Sequence, residues 1–394
     1  MKPYIFIKGT ILLKIIGGFF LFMLLIFSIS SALTAIKLEY RISSTSVNTV
    51  TNKITGEMLY HLLSWENHHF MKGMDEQSGK PTLLSFVFKL STNINLDDPR
   101  SLLGRELPSF SLFDSQIIAA SEGNDYTNMP MESTPSLEIL MAEQEATLQN
   151  LENIDSDGNN IPQQSGLSTD GREVVYLYFT HNRESYLPYL KGVTAPDDAQ
   201  HSQLNVTKIG DKLKEELEAR GVGTNLDKTD TVGNLINKKL KYGSAYQESR
   251  NSVQAALTGN RDLQYFIDIH RDSSRKEVTT LTLNGKNYAK LAFIVGEKHP
   301  NYKKNLELAE QMHALINKKY PGLSRAVILK GNEGDNGKYN QDLSGNAMLI
   351  EFGGVDNTFE ELNLSAEALA DVFSEFYWQA EKVSNPVINS DEKK

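Results

Sequence analysis

The apolar positions change their spacing several times along the chain. Ile15 to Ile36 is an uncharged, mostly apolar run of 22 residues with Lys2, Lys8 and Lys14 ahead of it. About 20 such residues cross a bilayer, and lysines on the near side keep that end in the cytoplasm. Residues 1–37 are therefore predicted to be a cytoplasmic tip and transmembrane anchor, with the bulk of the chain exported. Ser30-Ser31-Ala32 offers a signal-peptide cleavage site. The apolar run continues past it to Ile36, which favours an uncleaved anchor.

Residues 38–120 carry mixed patterns. Met58, Leu62, Leu63 and Trp65 fall on one helical face, and LLSFVFKLSTNI reads as a second helix or a strand. From 121 to 171 the chain is rich in Ser, Asn, Asp, Gly and Pro, the composition of a linker, with a short helix in LEILMAEQEATLQNLENI.

A regular alternation begins at Arg172. VVYLYFTHN reads as a buried strand. SQLNVTKIGDKLKEELEARG reads as an amphipathic helix with Leu204, Ile209, Leu213 and Leu217 inward and Gly221 as its stop. A short strand follows in VGTNLDKTD, then one long helical stretch through INKKLKYGSAYQESRNSVQAAL. YFIDIH is a strand, and VTTLTLNGKNYAKLAFIVGE a hairpin turning at Asn284-Gly285. YKKNLELAEQMHALINKKY is a helix, RAVILKG and NAMLIEFGG are strands, and TFEELNLSAEALADVFSEFYWQAEKV closes the pattern. Such alternation predicts an α/β domain over 172–385, a mainly parallel sheet flanked by helices, before a polar tail at 386–394.

Composition narrows the chemistry. The 394 residues carry a formal net charge of -10, which gives no support to nucleic-acid binding. There is no cysteine. Disulfides, thiolate metal sites and cysteine nucleophiles are thereby excluded, and any metal must sit on His, Asp or Glu. His61 and His68 share a helical spacing, but no third ligand joins them, so a polar helix face is the simpler reading. His299 and His313 read as surface residues. No Gly-x-Ser-x-Gly elbow and no phosphate-binding Gly-rich loop is present.

Three strands end on chemistry-bearing residues. The first ends at His181 with Glu184 three residues on, the second at His270, and AMLIEFGG carries Glu351. In a parallel sheet such ends share one edge, where ligands bind. Two imidazoles and a carboxylate are a common zinc donor set. A carboxylate in an apolar run such as Glu351 needs a partner or a function, and a free one beside a metal serves as general base. Asp268 and Asp272 are candidate acceptors for an imidazole N–H, and Arg271, Arg183 and Lys338 are candidates to meet substrate anions. His201, just before the amphipathic helix, is a further ligand candidate.

The segments YFTHNRESYLP, HSQLNVTKIGDKLKEELEARGVGTNLDKTD, YFIDIHRDS and AMLIEFGGVDNTFEEL, in this order, resemble the stage II sporulation protein P family of endospore-forming bacteria. More distantly, the domain resembles zinc-dependent N-acetylmuramoyl-L-alanine amidases. The resemblance implies a membrane-anchored peptidoglycan hydrolase of engulfment, an amidase that also cleaves peptide cross-links. Its implied cofactor is zinc. Its implied partners are stem peptides and glycan strands, with the stage II sporulation proteins D and M. By the same resemblance His181 and His270 match two ligands, Glu351 the catalytic base, and Asn357 with Glu360 or Glu361 the end of the last motif. The third ligand departs from the amidase pattern: His201 is preferred and Glu184 is the rival. The competing function is a membrane-tethered scaffold that binds wall or partner proteins without cutting.

Overall fold

The structure is a computed structural model that describes residues 115–142, 166–331 and 335–384, with Phe22 alone before them. The chain divides into two compact units, Met1–Asp97 and Asp98–Lys394, and the described strands and helices all belong to the second. The anchor expected at 1–37 and the helix expected beyond Met141 lie outside the described residues. Among those described, no helix is long and apolar enough to cross a membrane.

The strands are β1 (Gln116–Ala120), β2 (Val175–Tyr178), β3 (Thr224–Leu226), β4 (Tyr265–Asp272), β5 (Thr280–Leu283), β6 (Lys286–Ala289), β7 (Leu291–Gly296), β8 (Ser324–Lys330) and β9 (Ala347–Gly354). The helices are α1 (Leu137–Met141), α2 (Thr207–Ala219), α3 (Thr231–Lys238), α4 (Ala245–Gly259), α5 (Lys276–Thr279), α6 (Tyr302–Lys319) and α7 (Phe359–Ser384). Seven strands form one sheet in the order β1-β8-β7-β9-β4-β2-β3, and β5 and β6 form a separate hairpin.

The sheet is mainly parallel but not uniform. β3, β2, β4 and β9 run one way, whereas β7 pairs antiparallel with β9 and parallel with β8. The hairpin makes the reversal: Asn284 and Gly285 take φ of 52° and 77°, the left-handed pair that a tight two-residue turn requires. The chain then enters β7 from the opposite edge.

Residues expected outside the domain belong to it. β1, placed by pattern in the N-terminal region, is an edge strand antiparallel to β8. Residues 121–142, placed in the linker, run on from it over the domain. Their polar composition serves turns rather than disorder: Asp125 caps a short 3-10 turn by accepting from Thr127 N at 2.8 Å. Ser136 in turn caps α1.

Side chains alternate strictly on the central strands, as the two-residue period demands. Tyr265, Ile267 and Ile269 of β4 face one layer with Met348, Ile350 and Phe352 of β9 and Val175 and Leu177 of β2. That layer is filled by Ile209, Leu213 and Leu217 of α2, Met312 and Ile316 of α6, and Leu362, Leu369 and Phe373 of α7. At about 25 cal/mol per Å² of buried apolar surface, this layer is the main source of stability. Gly210 lets α2 lie close, since a Cβ there would run into the Phe179 ring. The opposite face buries Tyr176, Tyr178, Phe266 and Ala347 against Val253 of α4.

Two expected helices are corrected. α2 begins at Thr207, not at Ser202, because Asn205 Oδ1 accepts the N–H of Thr207 at 3.0 Å. The single long helix after β3 is two, broken at Lys239, whose φ of 55° terminates α3.

Candidate metal centre

β4 and β9 place a histidine and a glutamate on adjacent rungs, His270 beside Glu351 in the parallel ladder. Paired residues project to the same side, here the face opposite the large apolar layer. β2 lies on the other side of β4, and just beyond its end the chain turns sharply, carrying His181 and Glu184 back over the strand ends. The Glu184 N–H donates to His181 O at 3.0 Å, closing this turn. His181, Glu184 and His270 each offer a ligand atom, and those atoms all lie within 4.8 Å of one another.

The Glu184 carboxylate stands between the two rings. Its Oε1 is 3.8 Å from His181 Nδ1 and its Oε2 is 3.7 Å from His270 Nδ1. The imidazoles meet edge to face with centroids 5.0 Å apart. All three residues are at most 2% exposed, as is Glu351. Both nitrogens of His181, Nδ1 of His270, Oε1 of Glu184 and Oε2 of Glu351 lack a hydrogen-bond partner. Buried polar atoms are nearly always paired. Convergent unpaired donor atoms from two imidazoles and a carboxylate therefore fit a tetrahedral cation such as zinc, which takes N and O ligands and leaves a position open.

Asp268 faces His270. Its Oδ1 is 3.1 Å from His270 Nε2, which leaves Nδ1 turned toward Glu184. Asp268 is itself fixed by the Thr180 N–H at 2.9 Å and the Thr180 hydroxyl at 2.6 Å. A carboxylate behind a ligating histidine sets its ring and tautomer.

The electrostatics agree with this arrangement. Burial holds His181 well below the ordinary histidine value, helped by the positive charge of His270 and Arg271, so it stays neutral and able to ligate. Burial also opposes charge on His270, but Asp268, Glu184 and Glu351 prevail and raise it to about 10. Burial pushes Glu351 up to about 8, with His270 opposing and Glu184 and Asp272 adding to the rise. Glu184 is raised for the same first reason. Three acids around one imidazole make a pocket that favours a cation.

Other expected positions behave differently. His201 is not part of the cluster: its Nδ1 accepts the N–H groups of Gln203 and Leu204 at 3.0 and 2.9 Å and shapes the loop before α2. The cluster brought together is instead His181, Glu184 and His270. Arg271 is not poised for substrate. It is fully buried and donates to Ser133 Oγ at 2.9 Å and Ala199 O at 3.4 Å.

Asp272 does not touch an imidazole. The β4–β9 register shifts between His270 and Asp272, and Asp272 instead pairs with Arg325 at 2.8 Å. Arg183 is engaged by Asp230 at 2.7 Å. Asn357 Oδ1 accepts Gly354 N at 2.7 Å, and its Nδ2 donates to Glu361 Oε2 at 2.8 Å. It holds the exit of β9, where Gly353 has a φ of 59° and a Cβ would meet Asn357 Oδ1 at 2.6 Å. Thr358 and Glu361 form a capping box for α7.

Pattern reading missed Tyr242, whose ring stacks on His181 at 4.4 Å, and Tyr246, at 5.3 Å from it and 6.0 Å from His270. Tyr242 stands in the 3-10 turn just before α4 and Tyr246 in the first turn of α4.

Fold and site together define an α/β protein with a buried His–Glu–His centre at the carboxyl edge of its parallel strands. Residues 97–374 match the family model for stage II sporulation protein P. The chain is 48% identical over 379 residues to the stage II sporulation protein P of Bacillus subtilis, covering 96% of this chain and 94% of that one. It belongs to that family. Among solved structures it is similar to Cwp6 from Clostridium difficile, with 17% identity and a TM-score of 0.30 over 52% of this chain and 30% of that one. It is also similar to the N-acetylmuramyl-L-alanine amidase Ami1 from Mycobacterium smegmatis, with 13% identity and a TM-score of 0.33 over 55% and 100% of the two chains.

Proposed function

We propose that the chain is a zinc-dependent peptidoglycan hydrolase of sporulation. Its main reaction is cleavage of the amide between N-acetylmuramic acid and L-alanine, and it also cuts peptide cross-links. An amino-terminal helix holds it in the membrane with the bulk facing the wall, alongside the stage II sporulation proteins D and M. The observation that carries this reading is the set of unpaired atoms on His181, Glu184 and His270 beside the equally unpaired Glu351.

Zinc, when bound, supplies polarisation of the scissile carbonyl and a lowered pKa for the attacking water. His181, Glu184 and His270 hold it, and Asp268 keeps the His270 ring in place. Glu351 Oε2 takes the proton from the attacking water as its oxygen adds to the carbonyl carbon. It then returns that proton to the amine nitrogen as the C–N bond breaks. A pKa of about 8 in the chain alone suits a group that does both. The tyrosines keep the centre dry, which strengthens each of these interactions.

Mass spectrometry of purified peptidoglycan incubated with the full chain, with and without a chelator, tests the proposal. Metal-dependent release of free stem peptides or of split cross-links is expected. No release from the zinc-loaded chain, with the D-type partner added, would overturn it in favour of a binding scaffold.

A further inference from the structure

A polymer cannot reach the centre as it stands, because His181, Glu184, His270 and Glu351 are all buried. Tyr242 and Tyr246 close one side. The other cover is the segment 129–141, which crosses the end of β4. Met131 N donates to Asp272 Oδ1 at 3.0 Å and Met131 O accepts from Ser273 N at 2.9 Å. Ser133 Oγ lies 2.9 Å from Ser273 Oγ and receives Arg271 Nη2 at 2.9 Å. At its far end Leu140 O accepts from Arg183 Nη1 at 3.3 Å.

Glu132 sits between the two anchored residues. Its Oε1 is 3.5 Å from the hydroxyl of Tyr246, the ring that packs on both imidazoles. Its charge is felt by both Glu184 and Glu351, raising each. The segment is held at intervals: Met129, Pro130, Ser133, Pro135 and Leu140 are buried, whereas Met131, Leu137 and Met141 are 39%, 51% and 65% exposed. The exposed stretches between these points are where it opens first.

We propose that residues 129–141 are a strap that seals the centre, with Glu132 the side chain it presents to the site, and that the strap must lift before substrate can enter. The need for entry rests on the hydrolase reading, but the seal itself is tested without it. Because the chain has no cysteine, Ser133→Cys with Ser273→Cys in the full chain supplies the only two thiols, at side chains already in contact.

The readout is the rate of carbethoxylation of His181, the imidazole that stays neutral, in the metal-free chain, followed by mass spectrometry of the oxidised and reduced forms. The disulfide-locked form is expected to react at least tenfold more slowly, and reductant to restore the rate. Equal rates in the two forms would overturn the proposal. Should the double variant not fold, Ser133→Arg, which sets a second cation against Arg271, is expected to speed modification of His181 at least tenfold, and an unchanged rate would overturn it. Peptidoglycan cleavage is scored separately. A redox-dependent modification rate with no cleavage by the reduced zinc-loaded form removes the hydrolase reading and leaves the strap standing.

Discussion

Two buried polar groups lie within one strand of each other and differ in a single respect. Around Asp272 the charge is met: Arg325 forms an ion pair with one oxygen, and the Met131 and Ser274 N–H groups bond the other. Around His270, the donor atoms of His181, His270 and Glu184 converge and remain without partners. The first group is self-sufficient and holds the chain together. The second presents a donor set that a cation could join. Burial alone does not separate the two groups; what does is that one carboxylate faces a single guanidinium while the other group turns ligand atoms of three residues toward one point.

The sharpest break of this comparison is at the base. Glu351→Gln keeps the shape of the second group and removes its proton acceptor. Peptidoglycan cleavage by the zinc-loaded chain is expected to fall by about 10²–10⁴-fold, while zinc content by elemental analysis stays at the native level. Retained activity would mean another group takes the proton.

Breaking the first group should act on stability instead. Arg325→Ala leaves Asp272 charged, buried and unpaired, and is expected to cost about 3–5 kcal/mol in urea unfolding. Zinc affinity of the folded fraction should be unchanged. A loss below about 1 kcal/mol would show that the two groups are not distinct in kind.

Asp268→Asn is intermediate, since Asp268 touches the ligand without being one. Zinc affinity is expected to weaken about 10–100-fold, measured by competition with a chromophoric chelator. An unchanged affinity would leave Asp268 as a fold residue only.

The smallest effect belongs to the half-exposed pair Arg250 and Asp342, 2.7 Å apart and outside both groups. The Arg250 hydrogen bond holds Asp342 below its ordinary pKa, against burial. Its contribution is therefore present above the unfolded value near 3.8 and lost as pH falls through the lower folded value. Solvent screening keeps it under about 1 kcal/mol. Arg250→Gln should flatten that part of the stability curve below about pH 4, read by thermal unfolding; an unaltered slope would discount the pair.

Much of this was legible in the chain. Strict alternation in YFIDIH and AMLIEFGG reveals both the strands and the oddity of a carboxylate among apolar residues, and those two strands do lie side by side. The reversal of β7 and β8 was not legible, because nothing local in LAFIVGE states which way a strand enters the sheet. Glu184 is hard to place beside His270 from sequence, because a spacing of three from His181 reads as a helical or solvent pattern unless the turn after β2 is known to fold back. The histidine before α2 looks equally apt until its Nδ1 is seen accepting two backbone N–H groups. Glu132 left no pattern at all: it lies in a polar stretch whose composition is that of a linker.

The pairing of His270 with Glu351 across the β4–β9 ladder works as a ruler. Neighbouring strands stand about 4.8 Å apart whatever their side chains, so the separation of His270 and Glu351 is set by backbone hydrogen bonds rather than by loops. Loops around the site can lengthen or drift without altering that gap. Deleting one residue inside β9 ahead of Glu351 would instead turn the carboxylate through to the opposite face of the sheet, so this position tolerates exchange of residues far better than any change in their count.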